Sequence, residues 1–308
     1  MIKSILKVIN YRALGFIVLA QILVKYAFLE PFADGHGLYT SLNPIDFTIL
    51  LLSTIFIAAA GSIIYDLHKD NQLESNSNNA NKKEDDLKFY GYMGFTLMGI
   101  GFGYYLCYRI NFSSLFSVFI ITSALMYVYA SFLKLYPVIG NFTVSIIVGF
   151  SVFSVGLFDL VPVISRDTLD TQTTFLGLVL DYSILIAMLN LLKSSVADFR
   201  TLDFDHKVGN NTLPIIIGRT RAKFVLVLLN FISIILVVGY TLNFLYKQTL
   251  LVGYVLLFIL MPLIFMCIKL WQAETEKHYG QVGILVRITM LTTILSFVLH
   301  PLLILSNA

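Results

Sequence analysis

The chain is a succession of long apolar runs separated by polar breaks. Runs long enough to cross a bilayer core, which takes about 20 residues of helix, fall near 12–30, 44–65, 89–108, 113–133, 139–161, 174–193, 222–244, 249–270 and 283–305. None shows the alternation of apolar and polar positions expected of a membrane β-barrel. A backbone surrounded by lipid must satisfy its own hydrogen bonds, so each run predicts a helix. The pattern predicts an all-α, polytopic membrane protein of about nine transmembrane helices, forming one domain over residues 1–308.

The polar breaks are unequal. Two are long, 66–88 and 193–223. Within the first, residues 71–86 are rich in Asn, Ser and charged side chains, which predicts a mobile loop. Gly99 and Gly103 form a GxxxG spacing. With no strand before them they predict close helix packing and not a nucleotide loop.

Composition narrows the class. The chain is 57% hydrophobic and only 13% charged, which excludes a soluble enzyme, a secreted scaffold and a disordered chain. A net charge of +3 gives no reason to expect nucleic acid as a partner. Cys107 and Cys267 sit inside apolar runs without metal-ligand spacing and are expected to pack. The first run has Arg12 and Lys25 near its ends and no small-residue cleavage site, so it is expected to stay as a span. Lys and Arg gather on alternate breaks, leaving Lys25, Arg109, Arg166 and Lys247 on the opposite side. The positive-inside rule then places the N-terminus in the cytoplasm and the C-terminus on the outer side.

The chemistry-bearing residues fall in the two long breaks. Asp66, Asp70 and Glu74 are spaced to share one face if the second helix continues past the membrane. Asp198 and Asp205 are likewise expected on one face, with Asp203 off it. Mg²⁺ commonly takes one or two carboxylates together with phosphate oxygens and water. Two acidic clusters facing each other suit a metal-bound diphosphate, with Lys134, Lys193 and Arg200 to balance its charge. Charged side chains at helix ends are also commonly just solvated, and spacing alone leaves both readings open. Asp46 and Asp181 are expected at the membrane interface. His68 and His206 have no partner at metal-ligand spacing.

Two blocks resemble those of a known family. Asp198, Asp205, Gly209, Thr212, Leu213 and Pro214 stand where the second motif of the UbiA superfamily of intramembrane prenyltransferases has its Asp residues, Gly and Thr-Leu-Pro. Tyr129, Lys134 and Gly140–Asn141 resemble a second family segment that opens the fifth span. The details look closest to the Bacteroidetes branch labelled geranylgeranylglycerol-phosphate geranylgeranyltransferase. The resemblance covers nearly the whole chain and implies a UbiA-like bundle in a bacterial inner membrane. It implies a transferase that takes an isoprenyl diphosphate, with Mg²⁺ on two Asp-rich motifs, and passes the isoprenyl group to a lipid or aromatic acceptor. On this sequence the implied metal residues are Asp66, Asp70, Asp198 and Asp205, with Asp66, Asp198 and Asp205 essential to catalysis. The implied substrate contacts are Lys134, Lys193, Arg200, Tyr129 and Asn141.

The chain departs from the family pattern where the metal would bind. Tyr65 stands in place of an Asn, and Lys69 and Leu73 fall where later Asp residues belong. Asp70 and Glu74 lie one place further on, a rotation of about 100° around a helix. Thr201 replaces the middle Asp of the second motif, and Lys193–Ser194 replaces an Arg-Glu pair ahead of it. A catalytically weakened homologue that binds a prenyl lipid or a partner is therefore the alternative expectation.

Overall fold

The computed structural model describes residues 10–35, 37–74, 82–208 and 211–305. They fold into a helical bundle with no strand among the described residues. The first helix, α1 (Tyr11–Ile22), continues through a π-helical stretch, Leu23–Leu29, into Glu30–Gly35. Then come α2 (Pro44–Glu74), α3 (Lys82–Arg109), α4 (Phe116–Ser131), α5 (Pro137–Leu160) and α6 (Leu169–Arg200). Two short helices follow, α7 (Leu202–Val208) and α8 (Leu213–Ile217). The last three long helices are α9 (Arg219–Tyr240), α10 (Thr249–Val255) and α11 (Glu276–Leu305). α9 ends in a π-helical stretch, Thr241–Leu245, and α10 runs on through another, Leu256–Leu260, to Met261–Gln272.

Among the described residues, eight helices are long and apolar enough to cross a membrane. The ninth expected span, 89–108, lies in α3, a full-length helix whose Gly91, Gly94, Gly99, Gly101 and Gly103 and several tyrosines dilute its apolar content. The polar stretch expected as a loop near 71–86 is helical at both of its ends. α2 runs to Glu74 and α3 begins at Lys82, and residues 75–81 lie outside the described residues.

Local sequence explains several helix ends. Asn43 starts α2, its Oδ1 accepting from the Ile45 and Asp46 amides at 3.0 and 2.9 Å, and Pro44 follows as the first helical residue. α3 stops where Asn111 turns to φ 52°, and the Phe112 amide closes back onto the Cys107 carbonyl at 3.1 Å.

α2 lies along α3, α5 along α6, and α6 against α11. The buried residues of α6, among them Val179, Tyr182, Ile186, Leu189 and Val196, recur at helical spacing and face the bundle centre. Lipid is as apolar as these side chains, so close packing and interhelical hydrogen bonds hold the helices together. The GxxxG expectation holds here. A Cβ on Gly99 would lie 2.7 Å from Ile57 Cγ1 and 3.3 Å from the Ser53 carbonyl, and Ser53 Oγ donates to the Gly99 carbonyl at 2.6 Å. Gly103 similarly lies under the Phe119 ring of α4.

Charges expected at span ends are partly interior. Lys25 is 1% exposed, and its Nζ lies 3.0 Å from Asp159 Oδ2 and 3.6 Å from Glu30. Asp159 Oδ1 also accepts from the Leu42 amide at 2.8 Å, which ties the α1–α2 connection to the end of α5. Asp46, expected at the interface, is buried and paired with Arg109 Nε at the end of α3. Each carboxylate leaves water only in company with a cation, Asp159 with a backbone donor besides. Cys107 is buried, and Cys267 Sγ accepts from Asn230 Nδ2 at 3.1 Å, so both cysteines pack as expected.

Candidate active site

The helix ends opposite the Lys25–Asp159 pair bring together most of the residues singled out in the sequence. Tyr65 and Asp66 come from the end of α2, and Tyr129 from α4. Lys134 lies in the turn before α5, Asn141 in the first turns of α5, Asp198 at the end of α6, and Asp205 in α7.

Gly140 makes this turn possible. A Cβ there would lie 2.9 Å from the Leu133 carbonyl oxygen and 3.1 Å from Lys134 Cα, so only glycine lets the Leu133–Leu135 turn close on α5. From that turn Lys134 Nζ sits 4.8 Å from the centroid of the Tyr65 ring and donates to the Tyr65 carbonyl at 3.3 Å. Tyr129 stacks on the same ring, with centroids 6.2 Å apart and planes 10° apart. Tyr65, noted above only as the loss of an Asn, is thus held by Lys134 and Tyr129 at the centre of the cluster. Its phenol lies within electrostatic reach of Asp205, Asp198 and Asp66 together.

Asp198 is held from α5. Its Oδ2 accepts from Asn141 Nδ2 at 2.8 Å. Asn141 is braced in turn: Ser145 Oγ donates to its carbonyl at 2.6 Å, and Asn190 Nδ2 of α6 donates to Ser145 Oγ at 3.2 Å. The expectation that Asp198 and Asp205 share one face of one helix is corrected. α6 ends at Arg200, and Thr201 leaves the helix at φ −102°, ψ 10° before α7 starts. Thr201 Oγ1 donates to Asp205 Oδ2 at 2.5 Å, and its carbonyl accepts the Asp205 amide at 2.8 Å. The residue in place of the middle Asp therefore caps the second helix and fixes its carboxylate. Asp205 is 7% exposed and acts electrostatically on Asp198 across the break.

One site residue was not foreseen. Lys88, near the start of α3, reaches Asp66 with Nζ 3.0 Å from Oδ2, and its side chain is only 7% exposed. The sequence marked it as a charge beside an apolar run. Nothing in its spacing shows that α3 turns it toward α2.

Other candidates stand apart. Lys193, five residues before Asp198, points to another face of α6, where Arg287 of α11 is its charged neighbour. Arg200 is exposed at the end of α6. Asp203 is exposed and lines a polar groove with Arg219 and Glu274. His68 shares a hydrogen bond of 3.0 Å with Ser131 Oγ, and His206 is exposed. Leu213 and Pro214 are buried at the start of α8, and the buried Thr212 Oγ1 has no hydrogen-bond partner among the described residues. The side chains of Lys69, Asp70 and Glu74, and Gly209 as a whole, lie outside the described residues.

The donor set suits a hard cation in kind, since Asp66, Asp198, Asp205 and Tyr65 offer only oxygen. Among the described residues, no three His, Cys, Asp or Glu side chains form a ready-made metal cage. A cation here would complete its shell with water and phosphate oxygens, as Mg²⁺ ordinarily does.

A polytopic helical bundle with acidic and basic side chains gathered between helix ends is the class these features define. Comparison with known proteins says which bundles it resembles. No family model matches the chain, and no curated protein does. Solved structures do share its architecture. A digeranylgeranylglyceryl phosphate synthase, described as in membranes, superposes with a TM-score of 0.64 at 16% identity, over 96% of this chain and 98% of that one. A UbiA homolog from Aeropyrum pernix K1 superposes with a TM-score of 0.60 at 12% identity, over 96% and 97%. The fold is thus a UbiA-type bundle across essentially the full chain, as the two motif blocks implied.

Proposed function

We propose that the protein is an intramembrane prenyltransferase that moves an isoprenyl group from a diphosphate donor to a lipid or aromatic acceptor. The observation that carries this reading is that Lys134, packed on Tyr65 beside Asp66, lies in the turn that Gly140 closes on α5, where Asn141 holds Asp198 and Thr201 holds Asp205 just beyond. On this reading these helix ends face the cytoplasm.

Asp66, Asp198 and Asp205 would hold Mg²⁺, with Asp70 as a further candidate; when bound, the metal supplies positive charge against the diphosphate. Lys134 adds a fixed cation beside it. Asn141 keeps one oxygen of Asp198 engaged and so sets the direction of the other. The Tyr65 ring already faces the Lys134 ammonium, so the ring of Tyr129 is the one that would stabilise positive charge developing on the allylic carbon. The apolar bundle keeps water from that carbon. The C1–O bond of the donor breaks with its electron pair leaving on the diphosphate. An electron pair of the acceptor forms the new bond at C1, and the acceptor's proton leaves to water or to the released diphosphate.

The test is binding of geranylgeranyl diphosphate to the purified protein with and without Mg²⁺, for wild type and Asp198→Ala. Metal-dependent binding that the substitution abolishes supports the site and leads to an acceptor screen. Binding that is absent, or indifferent to both metal and mutation, overturns it.

One observation favours a second reading. Lys88 already neutralises Asp66, the one acid retained at its place in the first motif. A weakened homologue that binds a prenyl lipid or a partner would keep such a pair, and would tolerate Asp198→Ala without loss of its role. Turnover with any prenyl acceptor excludes it.

A further inference from the structure

A second polar feature lies far from this cluster. Asp181 sits on α6, seventeen residues before Asp198, which is about 25 Å along the helix axis. It lines a groove between α6, α9 and α10 with a cavity volume of about 370 Å³. This is within the usual range for a small-ligand site. Ionisable side chains within membrane-spanning helices are rare and usually have a partner. No hydrogen bond or ion pair among the described residues reaches Asp181, and the groove is lined by no Lys, Arg or His.

The walls are built unusually at this level. α9 passes into its π-helical stretch at Thr241–Leu245 and α10 into its own at Leu256–Leu260, and residues of both stretches line the groove. Such bulges mark functional positions in helices more often than ordinary turns do. Gly239 lines the groove too, and a Cβ there would meet nothing within 4 Å, so the space beside it is open. Asn243 donates from Nδ2 to the Gly239 carbonyl at 2.8 Å, which leaves its Oδ1 as an acceptor. The rings of Tyr182 and Tyr240 stand edge to face at 5.4 Å in the wall. Ile184, Leu236 and Phe244 are exposed at the lipid-facing rim.

The groove therefore offers a carboxylate and an amide oxygen, which favour a small cation that can donate hydrogen bonds, beside two tyrosine rings. Its rim suits a hydrocarbon chain. Lys247, exposed in the turn four residues beyond Asn243, offers a positive charge further out. We propose that this groove binds a phospholipid with a primary-ammonium head, the ammonium on Asp181 and Asn243, the phosphate toward Lys247, and an acyl chain along the rim. A quaternary ammonium has no N–H to donate, and an anionic head meets a carboxylate, so both bind more weakly. The site is separate from the proposed diphosphate site and does not depend on it.

The experiment is native mass spectrometry of the delipidated, purified protein with phosphatidylethanolamine, phosphatidylcholine or phosphatidylglycerol. The expected result is one tightly held phosphatidylethanolamine, with the other two bound about tenfold or more weakly. Asp181→Asn, which keeps shape and removes charge, abolishes the preference. Gly239→Leu fills the groove, keeps the carboxylate and lowers phosphatidylethanolamine binding as well. Thermal midpoints show that both variants are folded, and geranylgeranyl diphosphate binding in both stays as in wild type. Equal binding of the three lipids, or phosphatidylethanolamine binding that survives either substitution, overturns the proposal.

Discussion

Lys88 Nζ and Asp66 Oδ2 lie 3.0 Å apart, across the interface of two helices whose connection carries the most polar stretch of the chain. The pair places a nearly buried ammonium on a carboxylate where a cation site is proposed. Lys88→Gln removes the competing charge and leaves Asp66 open to metal. The Mg²⁺ concentration that half-saturates geranylgeranyl diphosphate binding is expected to fall about fivefold, the worth of about 1 kcal/mol of pairing. An unchanged or higher Mg²⁺ requirement shows that Lys88 does not compete with the metal.

The bond from Asn141 to Asp198 separates the roles of the two residues. Asn141→Ala leaves a part-buried carboxylate short of a donor and is expected to cost about 1–3 kcal/mol of stability, read as a lower thermal midpoint in detergent. Asp198→Asn still accepts the amide bond through its own carbonyl oxygen, so its midpoint stays near wild type while Mg²⁺-dependent donor binding is lost. Both variants melting alike, with binding intact in Asp198→Asn, contradicts this division.

Gly140 supports Lys134 through backbone contact alone. Gly140→Ala drives a methyl group against the Leu133 carbonyl oxygen and Lys134 Cα, and neither is a flexible side-chain tip. A stability loss of about 1–3 kcal/mol is expected. Donor affinity is expected to fall with it, because Lys134 moves off Tyr65. Wild-type affinity in Gly140→Ala shows that the ammonium position does not matter to the donor.

The Lys25–Asp159 pair at the other end of the bundle is fully buried. Lys25→Met strands a carboxylate that also anchors the Leu42 amide, at an expected cost of about 3–5 kcal/mol. The double variant Lys25→Met/Asp159→Asn is expected to be less damaged than the sum of the singles. Thermal unfolding of the four proteins in one detergent measures the coupling, and additive losses disprove it.

Much of the architecture was legible in the chain, because a segment that crosses lipid must be helical and apolar whatever its neighbours are. The apolar runs gave the long helices, and the resemblance of the Asp198–Asp205 and Tyr129–Asn141 blocks to family motifs singled out residues that the fold places at the same helix ends. Hydropathy could not show that α2 and α3 continue into the polar stretch between them, because a solvated helix carries polar side chains as readily as a loop does. Spacing likewise predicted one face for Asp198 and Asp205. It assumed an unbroken helix, and Thr201 ends it.

What the sequence determined by itself is local: which segments are helices, where Asn43–Pro44 starts one, and which carboxylates lie within a few turns of each other. What only the tertiary structure decided is rotation, the direction each helix turns its side chains. That direction puts Lys88 on Asp66, Lys134 on Tyr65 and Arg109 on Asp46, and turns Lys193 toward Arg287. A helix surrounded by lipid gains little from burying one apolar face over another. Its rotation is therefore set by contacts with partners distant in sequence, such as Ser53 and Ile57 against Gly99.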